Sequence, residues 1–311
     1  MLNHHSGKTL SFCITEPCAS TSAGSGTIYN FIVAIRLIAI DIDGTLLDPN
    51  FQVSSANLET LARAHTQGVE IALVTGRRHA FALPVANALH FDVTLISSNG
   101  AVTRSSTGEL FHQDLLPAPV ARRLLQHMSD FRSNTVLTFD RPAKGALVVE
   151  SAEELNQTIQ RWMEKNSEWI EYVRPLEDAV TESPIQAMFC GNLARMTEAQ
   201  ERLASFPLTD EITTLRTQYD ARNLCIVDIL NQGCSKGHAL ARWATHHEYA
   251  RDEVMAIGDN FNDVEMLEFA GLPVIMGNAC PELKQNGWLE TLGNDASGVA
   301  WAVEQILSRG D

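Results

Sequence analysis

The sequence holds no Cys-x-x-Cys pair, although its 311 residues include six cysteines, Cys13, Cys18, Cys190, Cys225, Cys234 and Cys280. Such scatter gives neither a zinc framework nor the dense pairing of a small secreted scaffold; it fits reduced thiols and a cytoplasmic location. Long apolar runs are missing as well. The longest, residues 31–40, is broken by Arg36 and falls well short of the roughly 18 residues that cross a bilayer, so no membrane partner is expected. Positive charge is scarce: 23 Lys and Arg stand against 38 Asp and Glu, a net charge of −15. A nucleic-acid face needs the opposite balance, because Lys and Arg must displace counterions from the phosphate backbone. A local cationic pocket for a small anionic metabolite is still compatible with that charge. Residues 1–35, rich in Ser, Thr and Gly, lack periodicity and the charged start, apolar block and cleavage site of a signal peptide. A disordered N-terminal extension, or residues upstream of the true start codon, is expected there, with a targeting role as the alternative.

What is present is a rhythm. Leu37-Ile38-Ala39-Ile40, residues 69–74 and residues 93–96 read as buried strands, separated by helical patterns that start at Ser54 and at residue 79. The rhythm returns after residue 229, with helices over 236–249, 261–270 and 297–308 and strands over 253–257 and 272–276. Between them, strand-like pairs (135–139 with 146–149, 185–190 with 213–216) are joined through helices at about 118–130, 152–165 and 195–205. The expected architecture is α/β: a Rossmann-like, doubly wound parallel sheet formed by residues 36–115 and 229–311, with an inserted α+β cap domain over residues 116–228.

Asp41 and Asp43 stand at the C-terminal end of the first strand, where such folds place their ligand sites. Residues i and i+2 of an extended segment face the same way, so both carboxylates can line one pocket. Two such groups resist joint desolvation unless a cation or a shared proton relieves them, and a divalent metal is the natural solution. Asp41, held ionised, can attack phosphorus to give an aspartyl-phosphate. Asp43 can protonate the departing alkoxide and later take a proton from the hydrolytic water. Gly44 and Thr45 turn the chain so that backbone N–H groups approach an anion. The competing interpretation is a strand that ends in a helix-capping Asp-x-Asp-Gly turn.

Thr75-Gly76-Arg77 closes the second strand, where a hydroxyl followed by glycine suits a phosphoryl oxygen; a plain turn is the alternative. Lys236 opens a helix, a position where the helix dipole disfavours a cation. A local rule broken at a strand–helix junction points to a site, and a point charge there can bind phosphate. Asp259 and Asp263 follow the strand over 254–257, one helical turn apart. Oxygen ligands with no His or Cys nearby suit Mg2+, although acidic residues in the first turn of a capped helix are also favoured by the dipole.

Taken together, Asp41-x-Asp43-Gly44-Thr45, Thr75-Gly76-Arg77, Lys236 and Gly258-Asp259-x-x-Asn262-Asp263 resemble the four motifs of the haloacid dehalogenase-like hydrolase superfamily. Their order, with an insert of over a hundred residues between the second and third, resembles the Cof-type branch with a large α/β cap, as does Ile96-Ser97-Ser98-Asn99-Gly100-Ala101. The resemblance implies Mg2+ held by Asp41, the Asp43 main-chain carbonyl and Asp259, with Asp263 supporting directly or through water. It implies phosphate or substrate contacts from Thr75, Gly76, Lys236, Asn262 and Asn99, and a cap that excludes water. An acid at Asp43 favours phosphate-ester cleavage over dehalogenation, since a halide needs no proton. The expected partner is a small phosphorylated metabolite, a sugar phosphate or a phosphorylated cofactor. A phosphoryl transferase using the same intermediate and a metabolite-binding regulator are the alternatives, and monomer or homodimer is left undecided.

Overall fold

The alternation of short apolar runs and helices becomes two sheets in a computed structural model, which describes residues 34–155, 157–219 and 222–307. The expected N-terminal extension therefore lies, but for residues 34 and 35, outside the described residues. Chain order gives β1 (Leu37–Ile40), α1 (Ser55–Thr66), β2 (Glu70–Val74), α2 (His79–Asn87), β3 (Thr94–Ser97), β4 (Val102–Ser105) and β5 (Leu110–Gln113). The inserted segment carries α3 (Ala118–His127), β6 (Thr135–Thr138), β7 (Leu147–Val149), α4 (Gln157–Lys165), β8 (Ile170–Tyr172), β9 (Gln186–Gly191), α5 (Leu193–Leu203), β10 (Ile212–Tyr219) and β11 (Leu224–Asn231). The chain then returns through α6 (Lys236–His246), β12 (Val254–Gly258), α7 (Val264–Phe269), β13 (Leu272–Ile275), β14 (Leu289–Glu290) and α8 (Gly298–Leu307).

The larger sheet runs β14-β13-β12-β1-β2-β3-β4-β5. Its first six strands are parallel, and β4 and β5 extend it antiparallel. The all-apolar Leu37-Ile38-Ala39-Ile40 forms the central strand because both of its faces are covered. Leu37 and Ala39 pack with Leu240, Trp243, Met266 and Leu267 from α6 and α7, so by alternation Ile38 and Ile40 point to the opposite face. From β1 the sheet grows one way through β2 and β3 and the other way through β12 and β13. That reversal opens a crevice beyond the carboxyl end of β1, the place where α/β sheets bind ligands. Helix α1 starts where Ser54 accepts from the Asn57 N–H (3.2 Å) and is followed by Gly68 at φ +86°, a conformation that glycine adopts without strain.

The second sheet runs β10-β11-β9-β6-β7-β8. One face buries Phe139 and Phe189 against Leu124 of α3 and Met196 of α5; the other packs Val136 and Val149 with Met163 of α4. Several details differ from the sequence-based expectation, which named none of β8, β11 and β14. Strands β4 and β5 are additional; they are short and half-exposed, with no clean alternation to reveal them. β11 lies between β9 and β10, so the expected neighbours 185–190 and 213–216 do not pair directly. Helix α4 begins at Gln157 rather than near 152. No helix among the described residues is long and apolar enough to cross a membrane.

Helices α6 and α7 meet at Gly237, where an added Cβ would lie 2.5 Å from the Glu265 carbonyl carbon and 2.6 Å from its oxygen. Gly237→Ala must push the two helices apart, because backbone has no rotamer to yield. Overpacking of this kind costs about 1–3 kcal/mol. A urea titration should show the unfolding midpoint lowered with an unchanged slope.

Candidate active site and metal centre

Asp41 directly follows β1, and its N–H continues the parallel ladder by donating to the Ile257 carbonyl (3.0 Å). The chain then turns back, with Leu46 N–H bonded to the Asp41 carbonyl and Leu47 N–H to that of Ile42. Gly44 occupies this turn at φ +87°, and a Cβ there would sit 2.3 Å from Asp259 Oδ2. Both the conformation and the space demand glycine. Beyond the end of β12, Asp259 accepts a hydrogen bond from the Thr45 hydroxyl (3.0 Å), which joins the two strand ends across the sheet.

Lys236, the first residue of α6 behind its cap Ser235, is 1% exposed. Its Nζ donates to Asp41 Oδ1 and to Asp263 Oδ1, both at 2.6 Å. Asp263 is fully buried and also accepts from the Asp259 and Asn260 N–H groups (3.0 Å each) through Oδ2. Both of its oxygens are thus engaged by protein donors, and it fixes Lys236 and the loop that carries Asp259. Carboxylate oxygens of Asp41, Asp259 and Asp263 lie within 4.8 Å of one another.

The charges do not balance. Burial pushes the Asp41 carboxyl up to about 7; Lys236 opposes this, while Asp263 and Asp43 add to it. Asp259 is raised well above the usual carboxylate range by burial and then by Asp41 and Asp263, with the Thr45 hydroxyl and Lys236 opposing. Burial works against the Lys236 ammonium too, but Asp263 and Asp41 outweigh it and hold its proton firmly. One lysine among three carboxylates leaves two negative charges when all are ionised. A divalent cation fits that deficit, and an all-oxygen donor set suits Mg2+.

Asp43 has a different partner. Its two oxygens take a bidentate pair from Arg77, at 2.7 Å from Nε and 2.6 Å from Nη2, and its side chain is about one-third exposed. It lines a cavity of about 480 Å3 with Gly44, Phe51, Tyr219, Arg222 and Asp259. Thr75 is buried at the end of β2, where its hydroxyl accepts from the Arg77 N–H (3.1 Å). Gly76 abuts Asn99, whose Oδ1 would be 3.2 Å from a Cβ at that position. Asn99 Oδ1 also accepts from Asn262 Nδ2 (3.0 Å), which ties the ends of β2, β3 and β12 into one wall.

Sequence reasoning did not single out Arg77 as a partner for Asp43, nor Asp228, Gln186 and Tyr219 in any role. Asp228 on β11 is buried in the cap, where it accepts from Asn99 Nδ2 and from Gln186 Nε2, both at 2.9 Å. A hydrogen-bonded chain therefore runs from the cap through Asp228 and Asn99 to Asn262. The Tyr219 phenol keeps its proton because burial, then Asp43, Asp41 and Asp259, all oppose its ionisation. Arg77 was visible as part of the Thr75-Gly76-Arg77 segment. Asp228 gave no local signal, since its partner Asn99 is 129 positions away.

Burial raises the Asp228 carboxyl from 3.8 to about 7, against the opposing Asn99 hydrogen bond and Lys236 charge. The folded chain then holds a proton that the unfolded chain releases, so stability falls as pH rises from about 4 to about 7 and levels off above. Asp228→Asn removes that contribution. In a chelator, thermal midpoints taken from about pH 4 to about pH 8 should fall less steeply for the variant. Coincident slopes would show that Asp228 ionises freely in the folded chain.

The chain matches the family model of haloacid dehalogenase-like hydrolases over residues 38–303. It is 29% identical to "Phosphatase YwpJ" of Bacillus subtilis (strain 168), over 88% of this chain and the whole of that protein. It is 31% identical to "HMP-PP phosphatase" of Escherichia coli (strain K12 / DH10B), covering 80% of this chain and 86% of that one. A crystal structure of a haloacid dehalogenase-like hydrolase from Bacteroides thetaiotaomicron superposes with a TM-score of 0.71 at 28% identity, over 88% of this chain and 99% of the other. With the fold, the carboxylate cluster and a match that spans both sheets in agreement, the chain belongs to the haloacid dehalogenase-like hydrolases.

Proposed function

We propose that this chain is a Mg2+-dependent phosphatase, which hydrolyses small phosphorylated metabolites (sugar phosphates or phosphorylated cofactors) through an aspartyl-phosphate on Asp41. The chain is a hydrolase by family, and both relatives above bear the name of phosphatase. The observation that carries the proposal is the buried set of Asp41, Asp259 and Asp263 around a single lysine, with Asp43 standing apart on Arg77.

In this reading Asp41, Asp259 and the Asp43 main-chain carbonyl would hold the metal, and Asp263 would support them. The bound ion would neutralise phosphoryl oxygens and keep the Asp41 carboxylate ionised at neutral pH. Lys236 fixes one Asp41 oxygen, leaving the other to attack phosphorus. The Thr75 hydroxyl, the Gly76 N–H, Lys236, Asn262 and Asn99 supply donors for the transferred phosphoryl group and its neighbours. As the phosphorus–oxygen ester bond breaks, Asp43 gives its proton to the departing alkoxide. It then takes a proton from the water that attacks phosphorus and frees Asp41. A carboxylate gripped on both oxygens by Arg77 is an acceptor only. Asp43 must therefore leave Arg77 before it serves as acid, and an incoming phosphate is the anion that competes for that guanidinium.

The test is phosphate release from p-nitrophenyl phosphate and from an alkyl phosphate. Asp41→Asn should lower turnover at least about a thousandfold, since an amide is a poor nucleophile, and exhaustive chelation should abolish it until Mg2+ is restored. Asp43→Asn should suppress the alkyl ester more than the aryl ester, whose leaving group needs less protonation. Undiminished turnover by Asp41→Asn, or full activity in the chelated protein, would overturn the mechanism.

A further inference from the structure

A second cavity, of about 370 Å3, shares no lining residue with the one beside Asp43. It lies where the two sheets meet, between Arg78, Leu83 and Ser98 of the larger domain and Pro142, Trp169 and Ile185 of the cap. Its volume is within the range of small-molecule sites. Arg78 is 8% exposed, and its Nη2 donates to the Phe139 and Arg141 carbonyls of the cap (3.0 and 2.9 Å). Its Nε and Nη1 are buried and have no hydrogen-bond partner. The same is true of Ser98 Oγ, on a residue 1% exposed, and of His79 Nδ1. Buried donors are nearly always satisfied, and Arg78, His79 and Ser98 all line this one cavity, so a small side-chain shift would bring these orphans to an occupant that accepts hydrogen bonds.

The charges say which kind. Arg104 and Asp140 neutralise each other through bonds of 3.0 and 2.6 Å, and Asp140 takes a further donor from Gln113. Arg141 is paired with Glu182 (2.8 Å) and lies 4.0 Å from Glu171. Among the described residues no carboxylate pairs with Arg78; besides the two cap carbonyls, its guanidinium lies over the rings of Phe81 and Trp169, each 5.6 Å from its centre. Burial lowers its hold on the proton, Asp140 opposes this and Arg104 adds to it, yet a guanidinium stays charged. His79 sits at the start of α2, where the first N–H groups have no helical acceptor and the dipole adds positive potential. Burial, then Arg104, keeps its imidazole neutral. One uncompensated positive charge suits a monoanion better than a phosphate dianion. Leu83, Val102, Pro142, Trp169 and Ile185 offer an apolar wall for the rest of the molecule.

From this geometry we infer that the cavity between the cap and the larger domain is a second ligand site, which takes a small monocarboxylate with an apolar or aromatic body, its oxygens on Arg78 and Ser98. Such a ligand would touch both domains at once and reinforce the contact that Arg78 already makes with the cap carbonyls.

The probe is 4-fluorophenylacetate, followed by fluorine NMR with the full chain. The wild-type protein should show saturable binding. Arg78→Met and Ser98→Ala should weaken it, the former at least tenfold, and Leu83→Trp, which fills the cavity, should abolish it. Arg222→Ala, at the mouth of the other cavity, should leave it unchanged. Thermal unfolding is recorded for each variant, and Leu83→Trp decides the matter if Arg78→Met does not fold. No saturable binding, binding that survives a folded Leu83→Trp, or binding lost in Arg222→Ala would overturn the assignment.

Discussion

Two hydrogen bonds from one buried ammonium, Lys236 to Asp41 and to Asp263, are the interaction on which the rest of the site depends. Three carboxylates converge in a space where water reaches little of them, and a single lysine offsets only part of their charge. Removing one partner from such a set leaves an unpaired buried charge, which is far more costly than the pair itself is favourable. The geometry around it therefore has to be rigid. Asp41 is pinned by the ladder to β12, Asp263 by two backbone N–H groups, and Lys236 by its place at the start of a capped helix. Gly44 and Gly237 allow the parts to approach closely enough for these bonds to form, one at the Asp259 side chain and the other at the backbone of α7.

The cap meets the larger domain through two kinds of contact. Near the connecting segments the packing is apolar, with Ala101 and Val102 against Ile185, Leu215, Leu230 and Cys234. Over the site it is polar: Asp228 bonds Asn99, and the Asn260 side chain exchanges hydrogen bonds with the Gln218 main chain. Apolar burial is strong and non-directional, whereas hydrogen bonds that are exchanged for bonds to water when two faces part contribute little net stability. The connecting segments are thus the firmer part of the junction, and the face above the carboxylates is the part that a substrate can displace at small cost. A site that needs water excluded during chemistry and admitted afterwards gains from that asymmetry.

The legible parts of the fold and the candidate site were those encoded locally. β1 was visible because a strand covered on both faces is continuously apolar, and Asp41 and Asp43 because carboxylates two apart on a strand end share a direction. Lys236 stood out as a cation at the wrong end of a helix dipole. The half-exposed β4 and β5 lack the alternation that announces a strand, and the order of β11 between β9 and β10 is a tertiary choice no local pattern states. Asp228 illustrates the same limit at the site. Its neighbours in sequence form an ordinary buried strand, and only the fold brings it to Asn99.

Asp43 and Arg77 show why residue identity alone leaves the chemistry incomplete. Spacing suggests that both aspartates of Asp41-Ile42-Asp43 enter one pocket, yet their surroundings separate them: Asp41 is enclosed with Lys236, while Asp43 is partly exposed and gripped by a guanidinium. A nucleophile benefits from fixed geometry and excluded water, whereas a group that must first give and then take a proton benefits from exchange with its surroundings. Placing two identical side chains in such different environments is how one short loop can supply both functions. The bidentate pair adds a condition, because Asp43 becomes free to carry a proton only when another anion draws Arg77 away. In the proposed mechanism a phosphate ester is such an anion, and substrate binding and the release of the acid would then be a single event.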